Sequence, residues 1–340
     1  MVRSLLIAPQ WIGDAVMAQP LVALLAARGE RITALGLPGV APVLRAMPGV
    51  DEVIETPFAH GRLDLGERRR VAARLRGQRF DRAYILGNNV KSRLVPWLAR
   101  IPQRVGHRGE ARGLLLTYAV DASAPQAGGR PDMRRHYAAL AGAGSSVAAL
   151  PEPELRVVPG AADAARNRFD LPVRWIALCP GAEFGPAKQW PVEHYATLAA
   201  LALRQGFAVA VLGTARDAAA GEAIAVQAWG AVNLCGRTRL DEAVALLAGA
   251  TGVVSNDSGL MHVAAALRRP TVGLYGSTDP RHTPPAAHRS AAIWLHLECS
   301  PCFQRTCPLG HLRCLRSIPP EQVWEQLLRL VEAAPTGMAQ

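Results

Sequence analysis

Gly252-Val253-Val254-Ser255-Asn256-Asp257-Ser258-Gly259-Leu260-Met261-His262 decides how this chain is read. A short apolar run, Gly252 to Ser255, suits a buried strand. It breaks into a small polar turn and re-forms as residues that open a helix. Strand, polar loop, helix is the repeating unit of an open parallel sheet, and ligands bind at such loops beyond the strand ends. The same grammar recurs nearby. Trp175 to Cys179 precedes a Gly- and Pro-bearing loop, Gly181 to Gln189, and a helix from Pro191 to Arg204 with proline at its start. Phe207 to Leu212 ends at Gly213-Thr214, and Thr271 to Tyr275 ends at Gly276-Ser277-Thr278-Asp279.

Working outward, the N-terminal half repeats the scheme. Ser4 to Ala8, Arg31 to Gly36, Glu52 to Glu55 and Arg82 to Leu86 read as strands. Val16 to Ala27, Val71 to Arg76 and Lys91 to Ala99 read as helices. Composition turns to Ala, Ser, Pro and Gly from Asp121 to Gly129. A helical patch, Met133 to Ala141, follows, and then the Pro-rich stretch Pro151 to Pro159, which suits a linker. A chain of 340 residues exceeds one ordinary core. The pattern therefore predicts an α/β protein of two Rossmann-like domains, residues 1–155 and 156–340, with a cleft between them. Pro320 to Glu332 is amphipathic and suits a terminal helix able to pack back on either domain.

Composition excludes several classes. Half the residues are hydrophobic, which suits packed layers rather than a disordered chain. The longest apolar candidate, Tyr195 to Leu212, is broken by Arg204, Gln205 and Gly206, short of the ~20 residues a membrane helix needs. Leu5 to Ala8 is too brief for the core of an export signal, so the chain is expected in the cytoplasm. Its net charge of +11 asks for an anionic partner. The arginines are scattered, with one run at Arg68-Arg69-Arg70 that reads as a solvated helix face. No zinc-finger, RRM or helix-turn-helix signature accompanies them, so phosphorylated lipid or a membrane surface fits better than nucleic acid. Absence of G-x-G-x-x-G and of a Walker A loop disfavours dinucleotide oxidoreductases and P-loop NTPases.

Four groups of residues carry candidate chemistry. In Trp11-Ile12-Gly13-Asp14, Gly13 lets the backbone turn close to a ligand and Asp14 stands at a helix start, as either a general base or an ordinary Asp N-cap. Around Asp257, the helix N-terminus at Ser258 and Gly259 suits a phosphate, His262 one turn on suits the same phosphates, and Asp257 suits sugar hydroxyls. All but two of the 38 basic residues are arginines, and the two lysines both fall at strand-to-helix junctions. Lys188, in Gly181 to Trp190, is placed to offset a leaving group's charge or is a plain surface lysine. Lys91, in Gly87 to Arg93, belongs to the other half. Finally, Cys299, Cys302, Cys307 and Cys314 fall close together with His311 among them; their spacing matches no standard zinc motif, so free thiols are expected ahead of a structural zinc in a reducing compartment.

Taken together, these segments resemble the lipopolysaccharide heptosyltransferases of glycosyltransferase family 9. The matching stretches are Trp11 to Asp14, Asn88 to Leu94, Gly181 to Pro191, Ser255 to His262, Tyr275 to Pro280 and Cys302 to Cys314. The resemblance implies a GT-B fold and inverting transfer of L-glycero-D-manno-heptose from ADP-heptose to the first heptose of a phosphorylated Kdo2-lipid A core, with no cofactor required, at or near the inner membrane. It implies Asp14 as catalytic base and Lys188 as its counterpart at the leaving group. It implies Gly181, Glu183, Asp217, Asp257, Ser258, Gly259 and His262 around the donor, and Gly13, Asn89, Lys91 and Ser92 around the acceptor. At Ala182 and Glu183 the hydroxyl-bearing pair of one family branch is absent, which alters the expected pyrophosphate contacts. Rival readings are a nucleotide-sugar 2-epimerase of the same fold, a transferase of another sugar, a nucleic-acid binder and an inactive sugar-binding module.

Overall fold

The computed structural model describes residues 1–58, 63–109, 113–121, 129–142 and 150–333. The chain divides into two units, Met1–Arg156 and Val157–Gln340. The first runs β1 (Arg3–Ile7), α1 (Ile12–Met17), α2 (Gln19–Ala27), β2 (Arg31–Gly36), α3 (Ala41–Arg45), β3 (Val50–Glu55), α4 (Leu65–Arg76), β4 (Arg82–Ile85), α5 (Val90–Leu98), β5 (Gln103–His107), β6 (Tyr118–Val120) and α6 (Met133–Ala138). The second runs α7 (Ala161–Arg168), β7 (Trp175–Cys179), α8 (Val192–Arg204), β8 (Ala208–Val211), α9 (Ala218–Gln227), β9 (Val232–Asn233), α10 (Leu240–Gly249), β10 (Gly252–Asn256), α11 (Gly259–Ala266), β11 (Thr271–Tyr275), β12 (Ser290–Trp294), α12 (Arg313–Arg316) and α13 (Pro320–Glu332).

Each unit holds one six-stranded sheet, ordered β3-β2-β1-β4-β5-β6 and β12-β11-β10-β7-β8-β9. Every strand pairing is parallel, for instance Ile7 beside Ile85 and Val254 beside Leu178. Strands β7, β10 and β11 are buried at all positions, as strands covered on both faces must be, and so read as continuous apolar runs. In both sheets the strand order reverses between the first and fourth strands of the unit, β1/β4 and β7/β10. Chain connections diverge there, and a crevice forms at the strands' carboxyl ends.

The first core gathers Leu5, Ile7, Leu35, Ala83 and Ile85 beneath Leu75 and Val95. The second joins Ile176, Leu178, Val211 and Val254 to Tyr195, Leu198, Trp324 and Leu327. Helix α13 lies on α8 and on β10, β11 and β12 of its own unit, and its Trp324 ring meets Phe207 edge-on at 5.5 Å.

Three local differences from the sequence reading have physical causes. The helix expected from Val16 starts at Ile12 and divides at Ala18, because Pro20 lacks the N–H an uninterrupted ladder needs. Asp14 is therefore the third residue of α1, and the N-cap is Trp11. The N-cap reading of Asp14 is thus corrected. Strands β5 and β12 escaped notice because Gln103-Arg104-Val105-Gly106-His107 and Ser290-Ala291-Ala292-Ile293-Trp294 have few large apolar residues. Helix α4 begins at Leu65, its first turns being charged rather than apolar. Among the described residues, no helix is long and apolar enough to cross a membrane.

Leu327 is fully buried, with its methyls 3.0 and 3.3 Å from where a Cβ on Gly252 would sit. Leu327→Ala should lower the stability of the second unit by ~2–5 kcal/mol. Denaturant unfolding followed by tryptophan fluorescence, on the wild type and this variant, measures the difference.

Candidate active site

In the second unit the polar residues collect where β7 and β10 end. Asn256, the last residue of β10, is fully buried and uses its whole carboxamide. Its Oδ1 accepts from the Trp190 backbone N–H at 3.0 Å and the Tyr195 hydroxyl at 3.1 Å, and its Nδ2 donates to the Pro180 carbonyl at 2.5 Å. Pro180 and Trp190 bracket the loop that carries Lys188. One side chain thus pins both ends of that loop to the sheet.

Asp257 follows at once. Lys188 Nζ donates to its Oδ2 at 2.5 Å and Thr278 Oγ1 donates to the same oxygen at 2.6 Å. Thr283 Oγ1 lies 3.5 Å, and His262 Nε2 3.6 Å, from Oδ1. Burial by itself would raise the Asp257 carboxyl. The Lys188 ammonium and His262 outweigh it and hold the group well below the usual carboxylate range. The Lys188 side chain is only 13% exposed, and its ammonium also stands 5.1 Å from the Phe184 ring. This is a charged pair removed from water and fixed from four directions.

Ser258 is the N-cap of α11 in extended conformation, and no side chain caps that helix. Its hydroxyl meets Ser255 Oγ at 3.1 Å. The N–H groups of the first turn of α11, beginning at Gly259, therefore present a positive helix end beside Lys188 and His262, which is the arrangement that binds phosphate. At the neighbouring strand end, Asp217 Oδ2 accepts from the Thr214 N–H and hydroxyl, both at 2.8 Å. Gly181 is required there, because a Cβ at that position would lie 2.6 Å from Asp217 Oδ2. Glu183 is exposed and paired with Arg216 at 2.7 Å.

In the first unit Asp14 and Gly13 occupy the loop end of β1. Tyr137 of α6 is 4% exposed and hydrogen-bonds Asp14. Burial first, then the Asp14 charge, raises that phenol well above its ordinary value and keeps it a proton donor. Beside it, His107 and His136 stack at 3.6 Å, and the fully buried Arg93 guanidinium donates to the carbonyls of His107 at 3.2 Å and Leu114 at 3.4 Å. At the loop end of β4, Asn89 caps α5 by accepting from the Ser92 N–H at 3.0 Å, and the Ser92 hydroxyl meets the Gly87 and Asn89 carbonyls. Lys91 sits in the first turn of α5, its carbonyl accepting from Arg68 at 2.9 Å.

Of the residues the sequence places at the donor, the structure gathers Lys188, Asp257, Ser258, Gly259 and His262 into one cluster and leaves Glu183 in a surface ion pair with Arg216. The sequence reading gives Thr278, Thr283 and Tyr195 no site role, and Asn256 no role of its own. Thr278 stood in a quoted strand-end loop, the one signal available. Tyr137 had none. Cys299, Cys302, Cys307 and Cys314 line a separate small cavity. Among the described residues, no three Cys, His, Asp or Glu side chains already converge on one point as metal ligands do.

Two parallel doubly wound sheets, with an uncapped helix start and a buried lysine at a switch point, define an α/β protein with a candidate ligand site at its strand ends. Residues 68–313 match glycosyltransferase family 9 (heptosyltransferase). The chain is 41% identical to lipopolysaccharide heptosyltransferase 2 of Escherichia coli K12, across 97% of this chain and 98% of the relative. It is 38% identical to lipooligosaccharide heptosyltransferase 2 of Haemophilus influenzae, across 96% and 99%. The solved ADP-heptose LPS heptosyltransferase II of E. coli superimposes with a TM-score of 0.84 at 39% identity, over 97% of this chain and 98% of that one. The chain belongs to glycosyltransferase family 9, the heptosyltransferases, and has the GT-B fold.

Removing one partner of a buried ion pair strands the other, at ~3–5 kcal/mol. Lys188→Met and Asp257→Asn should each destabilise the protein, and the double variant should cost less than their sum. Since the folded Asp257 value is depressed, its contribution is full above the ordinary value near ~4 and declines as pH falls below it. Urea titrations from pH 7 down to pH 3 test both statements, and Asp257→Asn should flatten the acid slope.

Proposed function

We propose that the second unit holds ADP-heptose, the first holds the lipid acceptor, and Asp14 is the base of an inverting transfer. The activity itself is that of a heptosyltransferase II, adding heptose to the inner-core heptose of lipopolysaccharide. The observation that carries the reading is the 41% identity to the E. coli enzyme over nearly the whole chain. The Lys188–Asp257–His262 cluster beside the α11 N-terminus gives that reading its chemistry.

In the transfer, the acceptor hydroxyl oxygen bonds to the anomeric carbon of the donor as the bond from that carbon to the diphosphate breaks. The hydroxyl proton passes to Asp14, and ADP leaves with its charge held by the α11 N–H groups and Lys188. An ammonium has three donors. Two of them point to Asp257, at Oδ2 and at its backbone carbonyl, which leaves one for a phosphate oxygen. Asp257 then acts chiefly by holding Lys188 and His262 in place. Asp217 and Gly181 border the same strand ends, where the ribose of ADP fits. The reaction so written draws on protein groups alone and needs no cofactor. Gly13, Asn89, Lys91 and Ser92 lie around the acceptor, and the net charge of +11 suits a phosphorylated core displayed at the inner membrane rather than nucleic acid.

Incubation with ADP-heptose and a mono-heptosylated Kdo2-lipid A should add one heptose by mass spectrometry. ADP release without acceptor, or donor isomerisation, would instead indicate an epimerase. Asp14→Asn should cut turnover by ~10²–10⁴ while ADP affinity, read by calorimetry, stays within twofold. A carboxylate that accepts a hydrogen bond is easier to ionise. Tyr137→Phe should therefore move the acidic limb of kcat/KM to higher pH, with the plateau reduced less than in Asp14→Asn.

A further inference from the structure

A cavity of about 20 Å³, room for one water-sized occupant, lies in the second unit behind Ala187. Its lining includes Cys299, Cys302, Cys307 and Cys314, together with Ser277 and His311. Four of the protein's six cysteines thus face one small space, and all are free thiols. Ser277 is 1% exposed, and its hydroxyl is buried with no hydrogen-bond partner although it lines the same cavity. A buried polar group so placed implies an occupant. After Cys307 the backbone turns tightly: the Gly310 N–H donates to the Cys307 carbonyl at 3.1 Å, and Gly310 and Leu312 take positive φ of 70° and 49°.

We propose that this cavity is a structural site for a thiophilic divalent metal ion of the zinc class, bound by Cys299, Cys302, Cys307 and Cys314. Four sulfur donors from a short segment suit a tetrahedral d¹⁰ ion, and four thiolates crowded together are tolerated only around a cation. His311 lines the cavity without joining the ligand set. Its Nδ1 accepts from the Arg313 N–H at 3.0 Å, so the ring proton sits on Nε2 and leaves no lone pair there. Among the described residues the sulfurs do not converge on one centre, so binding requires these side chains to reorient around the ion. The site is remote from the transfer chemistry in role yet joined to it in structure. Arg305, between Cys302 and Cys307, accepts from the Ala187 N–H at 3.1 Å and donates to the Phe184 carbonyl at 2.7 Å. Gly185 passes so close that a Cβ there would lie 2.5 Å from the Arg305 carbonyl oxygen. Phe303 N–H meets the Ser277 carbonyl at 2.7 Å. A metal that fixes this segment fixes the floor under the Lys188 loop.

The test is metal content and thiolate spectroscopy on the full chain. Protein purified anaerobically, loaded with zinc and dialysed against a weak chelator should retain about one zinc per chain, and cobalt in its place should give sulfur-to-metal charge-transfer absorption with tetrahedral d–d bands. Cys307→Ser and Cys314→Ser should each lose the retained metal, while His311→Gln and Cys235→Ser keep it. Should the serine variants fail to fold, mercurial titration of wild-type protein with a zinc indicator reads the same point, since zinc release should track modification of four thiols. Wild-type protein that retains under a tenth of an equivalent, cobalt spectra without sulfur charge transfer, or loss of metal in His311→Gln would each overturn the assignment. None of these readouts depends on heptose transfer, so a failed transferase assay leaves them intact.

Discussion

The carboxamide of Asn256 is the interaction on which the candidate site of the second unit rests. It is fully buried at the end of β10, and it holds Pro180 and Trp190, the two ends of the Lys188 loop, while also receiving the Tyr195 hydroxyl. A loop of this length, if free, would lose Lys188 to solvent. Pinned at both ends, it delivers the ammonium to Asp257, one residue beyond Asn256 on the same strand. The sheet thereby sets the position of a charge through a single covalent step. No aspartate could replace Asn256, because the role needs an N–H donor to Pro180 as well as an acceptor, and an ionised carboxylate only accepts.

Both units use the same topological device for different chemistry. In each, the chain reverses the strand order between its first and fourth strands, and the loops leaving those strands carry the candidate residues. In the second unit the loops supply a cation, a helix end and a buried carboxylate turned inward to hold them. In the first they supply Asp14, held by the Tyr137 phenol, and the capped start of α5.

The architecture was legible in the sequence because parallel strands covered on both faces write themselves as uninterrupted apolar runs, and Thr271–Tyr275 and Trp175–Cys179 were found to the residue. Edge and polar strands were not, since Gln103–His107 owes its place to neighbours rather than to its own composition. Site residues followed the same division. Lys188, Asp257 and His262 stood out because lysine is scarce here and a strand-to-helix turn marks its ligand loop. Tyr137 reaches Asp14, and Thr278 reaches Asp257, through tertiary packing from segments whose local pattern says nothing of it. Asp14 shows the limit most plainly. Pro20 divides its helix and the N-cap falls three residues earlier, at Trp11, so the N-cap alternative for Asp14 was the wrong local geometry.

The choice between the two kinds of cation makes a last point. In a chain that writes almost every basic residue as arginine, Arg93 is buried where a planar fork is useful, its guanidinium spanning the carbonyls of His107 and Leu114 on separate segments. Lys188 is buried where a fork would not fit. Its Nζ must reach Asp257 Oδ2, touch the Asp257 carbonyl and remain against the Phe184 ring within a space bounded by Ala187 and Thr278. A compact ammonium with rotatable donors satisfies those partners and retains one more direction in which to donate. A guanidinium, larger and fixed in plane, would have to displace Thr278 or Phe184. The residue type that is scarce in the rest of the chain therefore fits this point for a geometric reason.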